Sequence, residues 1–160
     1  MTLFETRNYY KLSQIEASKI AGIPVRTFRR YESDENYGSE IKREAFIFKI
    51  VDKCEITEEK GILSVELIKK ELTDLFDNEY KGKINFCYLF GSYAKGMAKE
   101  NSDVDLYISS SLTGLKFVGL IETIRQRLNK KIDLIRESEL ENNLDLINEI
   151  LSNGIKIYGK

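Results

Sequence analysis

A chain of 160 residues with a formal net charge of −1 holds one domain or two small ones. It carries no global basic field, so any contact with nucleic acid has to come from a local patch. With 42% hydrophobic and 32% charged residues the composition is that of a folded chain and excludes wholesale disorder. No apolar run approaches membrane-spanning length and the start M-T-L-F-E-T-R lacks a signal-peptide core, so a cytoplasmic location with no membrane partner is the expectation. Cys54 and Cys87 have neither a disulfide-framework nor a metal-type spacing and are expected as free buried thiols. The chain has no histidine. That removes the commonest general base and zinc ligand and leaves carboxylates, lysines, tyrosines or a metal to carry any catalysis.

The first third reads as helical. A short helix is expected over Leu3 to Tyr10, and Ser13-Gln14-Ile15-Glu16 is a capping box that opens a second helix ending at Gly22. Pro24 is expected in the first turn of a third helix that runs to about Glu32. Two short helices joined by a glycine-containing turn of about three residues have the geometry of a helix-turn-helix. The line from Leu12 to Glu32 resembles the phage-repressor (XRE-type) helix-turn-helix family, with Ala17, Ile20, Ile23, Phe28 and Tyr31 where that family packs its core and Pro24 in place of its usual small polar cap. Arg26, Thr27, Arg29 and Arg30 remain after the core positions are assigned, and from Val25 to Tyr31 there are three arginines and no acids. The resemblance implies a recognition helix that binds operator DNA, with Gln14 and some arginines on phosphates and others on base edges, and a homodimer reading paired half-sites. The other reading of these arginines is solvated charge on a helical pair used for packing or protein binding.

Ser33 to Gly38 is a polar loop, and a fourth helix is expected from Glu40 to about Lys53. Its helical spacing picks out Ile41, Ala45, Phe48 and Val51 or Asp52, while Phe46, Ile47 and Ile50 make it apolar on a second side. That fits burial between domains or in a dimer. The charged stretch Glu55 to Gly61, with a candidate helix cap at Thr57, marks the domain boundary, giving domains 1–56 and 57–160. An amphipathic helix follows from Ser64 to about Asn78, with Leu67, Ile68, Glu71, Leu72 and Leu75 as its stripe.

The stretch from Ile84 to Leu106 holds the chemistry. Ile84 to Phe90 is short, apolar and β-prone, and Gly91 ends it. A glycine there lets the backbone approach a ligand oxygen, and Ser92 supplies a hydroxyl and an N–H at the start of an expected short helix, Tyr93 to Met97, before a second glycine, Gly96. Asp103 to Ser109 reads as a second strand, on which Asp103 and Asp105 share a face. Two carboxylates so placed repel unless a cation sits between them, and magnesium shared with substrate phosphates is the natural candidate. An Asp-x-Asp alone is common at strand edges with solvated charges; Gly-Ser, ten residues, then Asp-Val-Asp-Leu is more specific. The combination resembles the nucleotidyltransferase superfamily that includes polymerase β-like enzymes, and G-S-Y-A-K-G with S-D-V-D-L is most similar to its minimal nucleotidyltransferase (MNT) domains, over roughly Ser64 to Lys160. Lys95 departs from the arginine many members carry, which keeps the charge but not the planar fork.

Beyond it are expected a helix from Leu115 to Leu128, a strand Lys131 to Arg136 carrying Asp133 between apolar neighbours, a last helix Ser138 to Ser152 and a strand Ile155 to Tyr158. The expected fold class is α+β: an all-α helix-turn-helix domain followed by a small polymerase β-like domain with a mixed sheet. The resemblance implies ATP and Mg2+ as substrate and cofactor, with Gly91, Ser92, Lys95 and Gly96 on the nucleotide and Asp133 completing the metal site of Asp103 and Asp105. It further implies an antitoxin that transfers AMP from ATP to a tyrosine of a HEPN-domain ribonuclease toxin. The alternatives are an aminoglycoside-type small-molecule nucleotidyltransferase, or a non-catalytic DNA-binding antitoxin that acts by occlusion.

Overall fold

A computed structural model describes residues 1–159; Lys160, the last residue of the expected second domain, lies outside the described residues. The chain divides into two compact units, Met1–Glu55 and the segment from Ile56 onward.

The first unit is all helical: α1 (Leu3–Tyr9), α2 (Gln14–Ala21), α3 (Val25–Ser33) and α4 (Glu40–Cys54). Capping boxes open α1 at Thr2 and α2 at Ser13, where Ser13 Oγ accepts from Glu16 N at 3.2 Å and Glu16 Oε2 accepts from Ser13 N at 2.8 Å. Pro24 stands one residue outside α3, as its N-cap with φ −58° and ψ 141°, rather than in its first turn; its extended ψ cannot continue a helix, and it offers no side-chain cap. Leu3, Ala17, Ala21, Phe28, Tyr31, Phe46 and Ile50 form the core, with Ile20 and Ile23 partly buried against it. Of the two apolar sides of α4, Phe46 and Ile50 face inward, whereas Ile41 and Phe48 are 77% and 71% accessible. Both sides of α4 are apolar, so periodicity marked two faces and the packing of α1 and α2 chose between them.

The second unit contains α5 (Val65–Asn78), β1 (Ile84–Phe90), α6 (Gly91–Ala94), β2 (Val104–Ser110), α7 (Gly114–Leu128), β3 (Ile132–Arg136), α8 (Glu137–Leu140), α9 (Leu144–Asn153) and β4 (Ile155–Gly159). The four strands form one mixed sheet in the order β3-β2-β1-β4, with β1 antiparallel to β2 and β4, and β2 parallel to β3. Ile68, Leu72, Leu75 and Phe76 of α5 and Phe117, Leu120, Ile124 and Leu128 of α7 pack with Cys87, Leu89, Val104, Leu106 and Ile108 of the sheet. β2 alternates buried Val104, Leu106 and Ile108 with half-buried Asp105 and Tyr107, so Asp105 points away from that core.

Three local expectations differ from the structure. Thr57 caps no helix and instead bridges to Lys60 in a tight turn. The α6 helix is one turn, starting at Gly91, not Tyr93. The last helix is two, because Asn142 takes a left-handed φ of 74° and the Asn143 side chain caps Leu146 N at 3.1 Å. The core assignment makes Leu72→Ala a cavity mutation that costs roughly 2–5 kcal/mol; its urea midpoint should fall with an unchanged slope, and an unshifted midpoint would show that Leu72 is not a core residue.

Candidate active site

β1 runs into α6 through Gly91, whose φ of +67° is left-handed. A methyl group at this position would overlap Asp105 Oδ2, so the carboxylate lies directly against the glycine backbone. The strand register explains the contact: Phe90 pairs with Asp105 across β1 and β2, placing the end of one strand beside the start of the next. On the other side Asp105 pairs with Asp133 in the parallel β2–β3 ladder. Parallel partners lie about 4.8 Å apart and point the same way, so the two carboxylates stand side by side. Asp103 precedes β2 instead of belonging to it, and is exposed.

These acids do not share one environment. Asp105 is half-buried, and its carboxyl is pushed up to about 6, first by burial and then by the charges of Asp133, Asp103 and Glu149; the Ser92 backbone N–H hydrogen-bonds to it and works against the shift. Asp133 is exposed although its strand neighbours are apolar: β3 is an edge strand, and the desolvated acid is Asp105. Such crowding of like charge is what a divalent cation relieves, and an all-oxygen donor set suits magnesium. Among the described residues no three His, Cys, Asp or Glu side chains converge closely enough to enclose an ion. Magnesium needs no such cage, because one or two carboxylates plus substrate phosphates and water complete its shell. The residues present therefore fit a metal that arrives with a nucleotide.

The expected nucleotide-binding positions cluster here. Gly91 and Ser92 begin α6, and the Ser92 N–H, expected to face phosphate, is turned to Asp105. Gly96 adopts φ +68° just past the helix with open space around it. Lys95 is not free: its Nζ lies 2.5 Å from Glu149 Oε1 of α9, and α9 packs on both α6 and β1. Sequence reasoning passed over Glu149. The available signal was its place beside Leu146 and Ile150 in a helix, where a carboxylate interrupts apolar neighbours.

The five residues expected on DNA all belong to α2 and α3. Arg26 is exposed and Thr27 partly buried. Arg29 Nε donates to Gln14 Oε1 at 2.9 Å, and Gln14 Nε2 donates to Glu32 Oε2 at 2.5 Å. Glu32 also pairs with Arg7 at 2.5 Å while its side chain is only 5% exposed. The Gln14 amide is thus part of a network that aims Arg29. The Arg30 guanidinium lies over the Tyr37 ring at 4.1 Å.

The sequence profile of the polymerase beta, nucleotidyltransferase family matches residues 70–160, which is the second unit from the middle of its first helix. A Methanocaldococcus jannaschii protein provisionally named a protein adenylyltransferase is 35% identical over 77 residues, 47% of this chain and 86% of that one. The protein adenylyltransferase MntA of Thermococcus cleftensis is 38% identical over 80 residues, 48% of this chain and 73% of that one. A tri-AMPylated Shewanella oneidensis HEPN toxin in complex with MNT antitoxin contains a chain similar at 20% identity, with a TM-score of 0.45 over 59% of this chain and 72% of that one.

The raised Asp105 carboxyl sets a sign for stability. A group whose folded value exceeds its unfolded value stabilises the fold below the unfolded value, near 3.8, and loses that contribution as pH rises through about 6. Asp105→Asn should therefore melt higher than the wild-type metal-free protein at pH 8, and the gap should close as pH falls from 6 to below 4. A gap that is constant with pH would mean that Asp105 is not strained by its charge.

Proposed function

The chain belongs to the polymerase beta-type nucleotidyltransferase family, and from that premise we propose that it is a cytoplasmic antitoxin that transfers AMP from ATP to a tyrosine of a HEPN-domain toxin. The observation that carries this reading is the Asp105 carboxylate seated against Gly91 at the start of α6, with Asp103 and Asp133 beside it. The relatives named protein adenylyltransferases support AMP as the group and a protein as the acceptor.

In the proposed reaction the acceptor phenol oxygen bonds to the α-phosphorus, the bond from that phosphorus to the bridging oxygen breaks, and pyrophosphate leaves. The backbone at Gly96, with open space around it, would admit phosphate oxygens just past α6. Asp103 and Asp105 would hold a nucleotide-bound magnesium, and Asp133, the exposed neighbour of Asp105, would share a second metal or take the phenol proton. Bound magnesium supplies charge neutralisation on the triphosphate and aligns the attacking and leaving oxygens. Lys95 would exchange Glu149 for a phosphate oxygen as the nucleotide enters, so Glu149 competes with substrate for the lysine.

The first unit would repress the operon by binding operator DNA as a dimer. What supports this is the exposed run Arg26, Arg29 and Arg30 on α3, with the Gln14 amide orienting Arg29.

With α-labelled ATP, magnesium and a HEPN protein encoded beside this chain, label should pass to the toxin, and the pair Asp103→Asn with Asp105→Asn should abolish transfer. Equal labelling by that variant would rule out the catalytic reading. Glu149→Gln should tighten ATP binding several-fold by releasing Lys95; weaker binding would contradict the exchange. For DNA, Arg26→Ala with Arg29→Ala should weaken a gel shift of the upstream fragment and lower its salt slope by about 1–2. An unchanged shift would sink the recognition-helix assignment.

A further inference from the structure

Lys130 is the one charged residue among the described residues with 0% of its surface accessible. An ammonium out of water is costly unless its three N–H groups are all used. Here they are: Nζ donates to the Lys60 carbonyl at 3.1 Å, to the Glu58 carbonyl at 3.4 Å, and to the Glu100 carbonyl in a short contact. All three acceptors are backbone oxygens, and the nearby carboxylates of Glu58 and Glu59 pair with Arg125 and Lys131. This is a tie between segments far apart in sequence rather than an ion pair.

The third carbonyl leads to the catalytic acids. Glu100 lies in a turn closed by Ser102 N on Lys99 O at 3.0 Å and by Lys99 N on Ser102 Oγ at 2.8 Å, and the next residue is Asp103. On the far side of Asp103, Val104 N donates to Lys131 O at 2.9 Å. The Lys130–Lys131 dipeptide therefore holds the backbone on both sides of an exposed acid that lies outside the β2 strand. β3 begins one residue later and carries Asp133, so the same segment sets the start of two site-bearing strands.

We propose that Lys130 is a positioning residue for Asp103: by clamping the Glu100 carbonyl it delivers the Asp103 carboxylate to the metal-nucleotide site beside Asp105. The proposal rests on the reading of Asp103 and Asp105 as metal-nucleotide ligands. Loss of an outer group that orients a metal ligand typically weakens metal binding about 10–100-fold. Methionine at 130 fills the space but donates to none of the three carbonyls, whereas arginine retains charge and donors.

The experiment titrates Mn2+ into the full chain with a non-hydrolysable ATP analogue, follows free Mn2+ by electron paramagnetic resonance, and records thermal unfolding for each variant. Lys130→Met should weaken Mn2+ binding about 10-fold or more, Lys130→Arg should recover most of that loss, and Leu72→Ala, destabilised in the core, should bind as wild type. Should Lys130→Met fail to fold, Ser102→Ala, which loosens the same turn, should still weaken Mn2+ binding measurably. Wild-type affinity in Lys130→Met, or in Ser102→Ala when Lys130→Met does not fold, overturns the proposal, as does equal weakening by Leu72→Ala. If Asp105→Asn itself binds Mn2+ and analogue as wild type does, the underlying reading of the acids fails instead, and the proposal falls with it.

Discussion

The Asp105 carboxylate occupies the space that any side chain at position 91 would need, and this contact binds the turn between β1 and α6 to the acid cluster. Glycine at 91 is required twice, by its left-handed φ and by the oxygen against it. Asp105 is in turn committed by the sheet, because Phe90 and Asp133 flank it in register and Val104 and Leu106 anchor β2 in the core. A slip of one residue in β2 would bury the carboxylate among α5 and α7 side chains and expose Val104 and Leu106. The hydrophobic register thus enforces the electrostatic one.

Like charge is crowded around Asp105. Asp105 loses solvation and faces three other acids, with one backbone N–H in compensation. Lys95, the cation nearest in sequence to the loop, is held by Glu149. In the proposed reaction a metal-bound nucleotide would bring a cation to Asp105 and a phosphate oxygen to replace Glu149 on Lys95.

How much of this was legible in the sequence depended on whether one segment carried its own signal. β1 was found residue for residue because an apolar β-prone run ends at a glycine, and α2 because the capping box and Gly22 bracket it. Asp103 and Asp105 were visible as a motif, and Asp133 through the family resemblance; that Asp133 abuts Asp105 is a matter of parallel register, which no single strand encodes. Both apolar sides of α4 were visible, but which of them the helical unit buries is decided by tertiary packing. The break at Asn142 lies in a polar run that reads as a continuous helix until its left-handed turn is seen. Glu149 and Lys130 were missed for a common reason: each acts on groups dozens of residues away, and a glutamate on a helix or a lysine before a strand is unremarkable in a linear reading.

The central claim is that a nucleotide-bound metal relieves the charge strain on Asp105, and the protons released on binding test it most directly. Calorimetric titration of magnesium with a non-hydrolysable ATP analogue, repeated in two buffers of different ionisation enthalpy and corrected for the analogue's own ionisation, gives that number. With Asp105 titrating at about 6, roughly half a proton should leave the protein per site at pH 6 and almost none at pH 8. Binding that releases no proton from the protein at pH 6 would contradict the account, because Asp105 would then already be ionised and unstrained before the metal arrives.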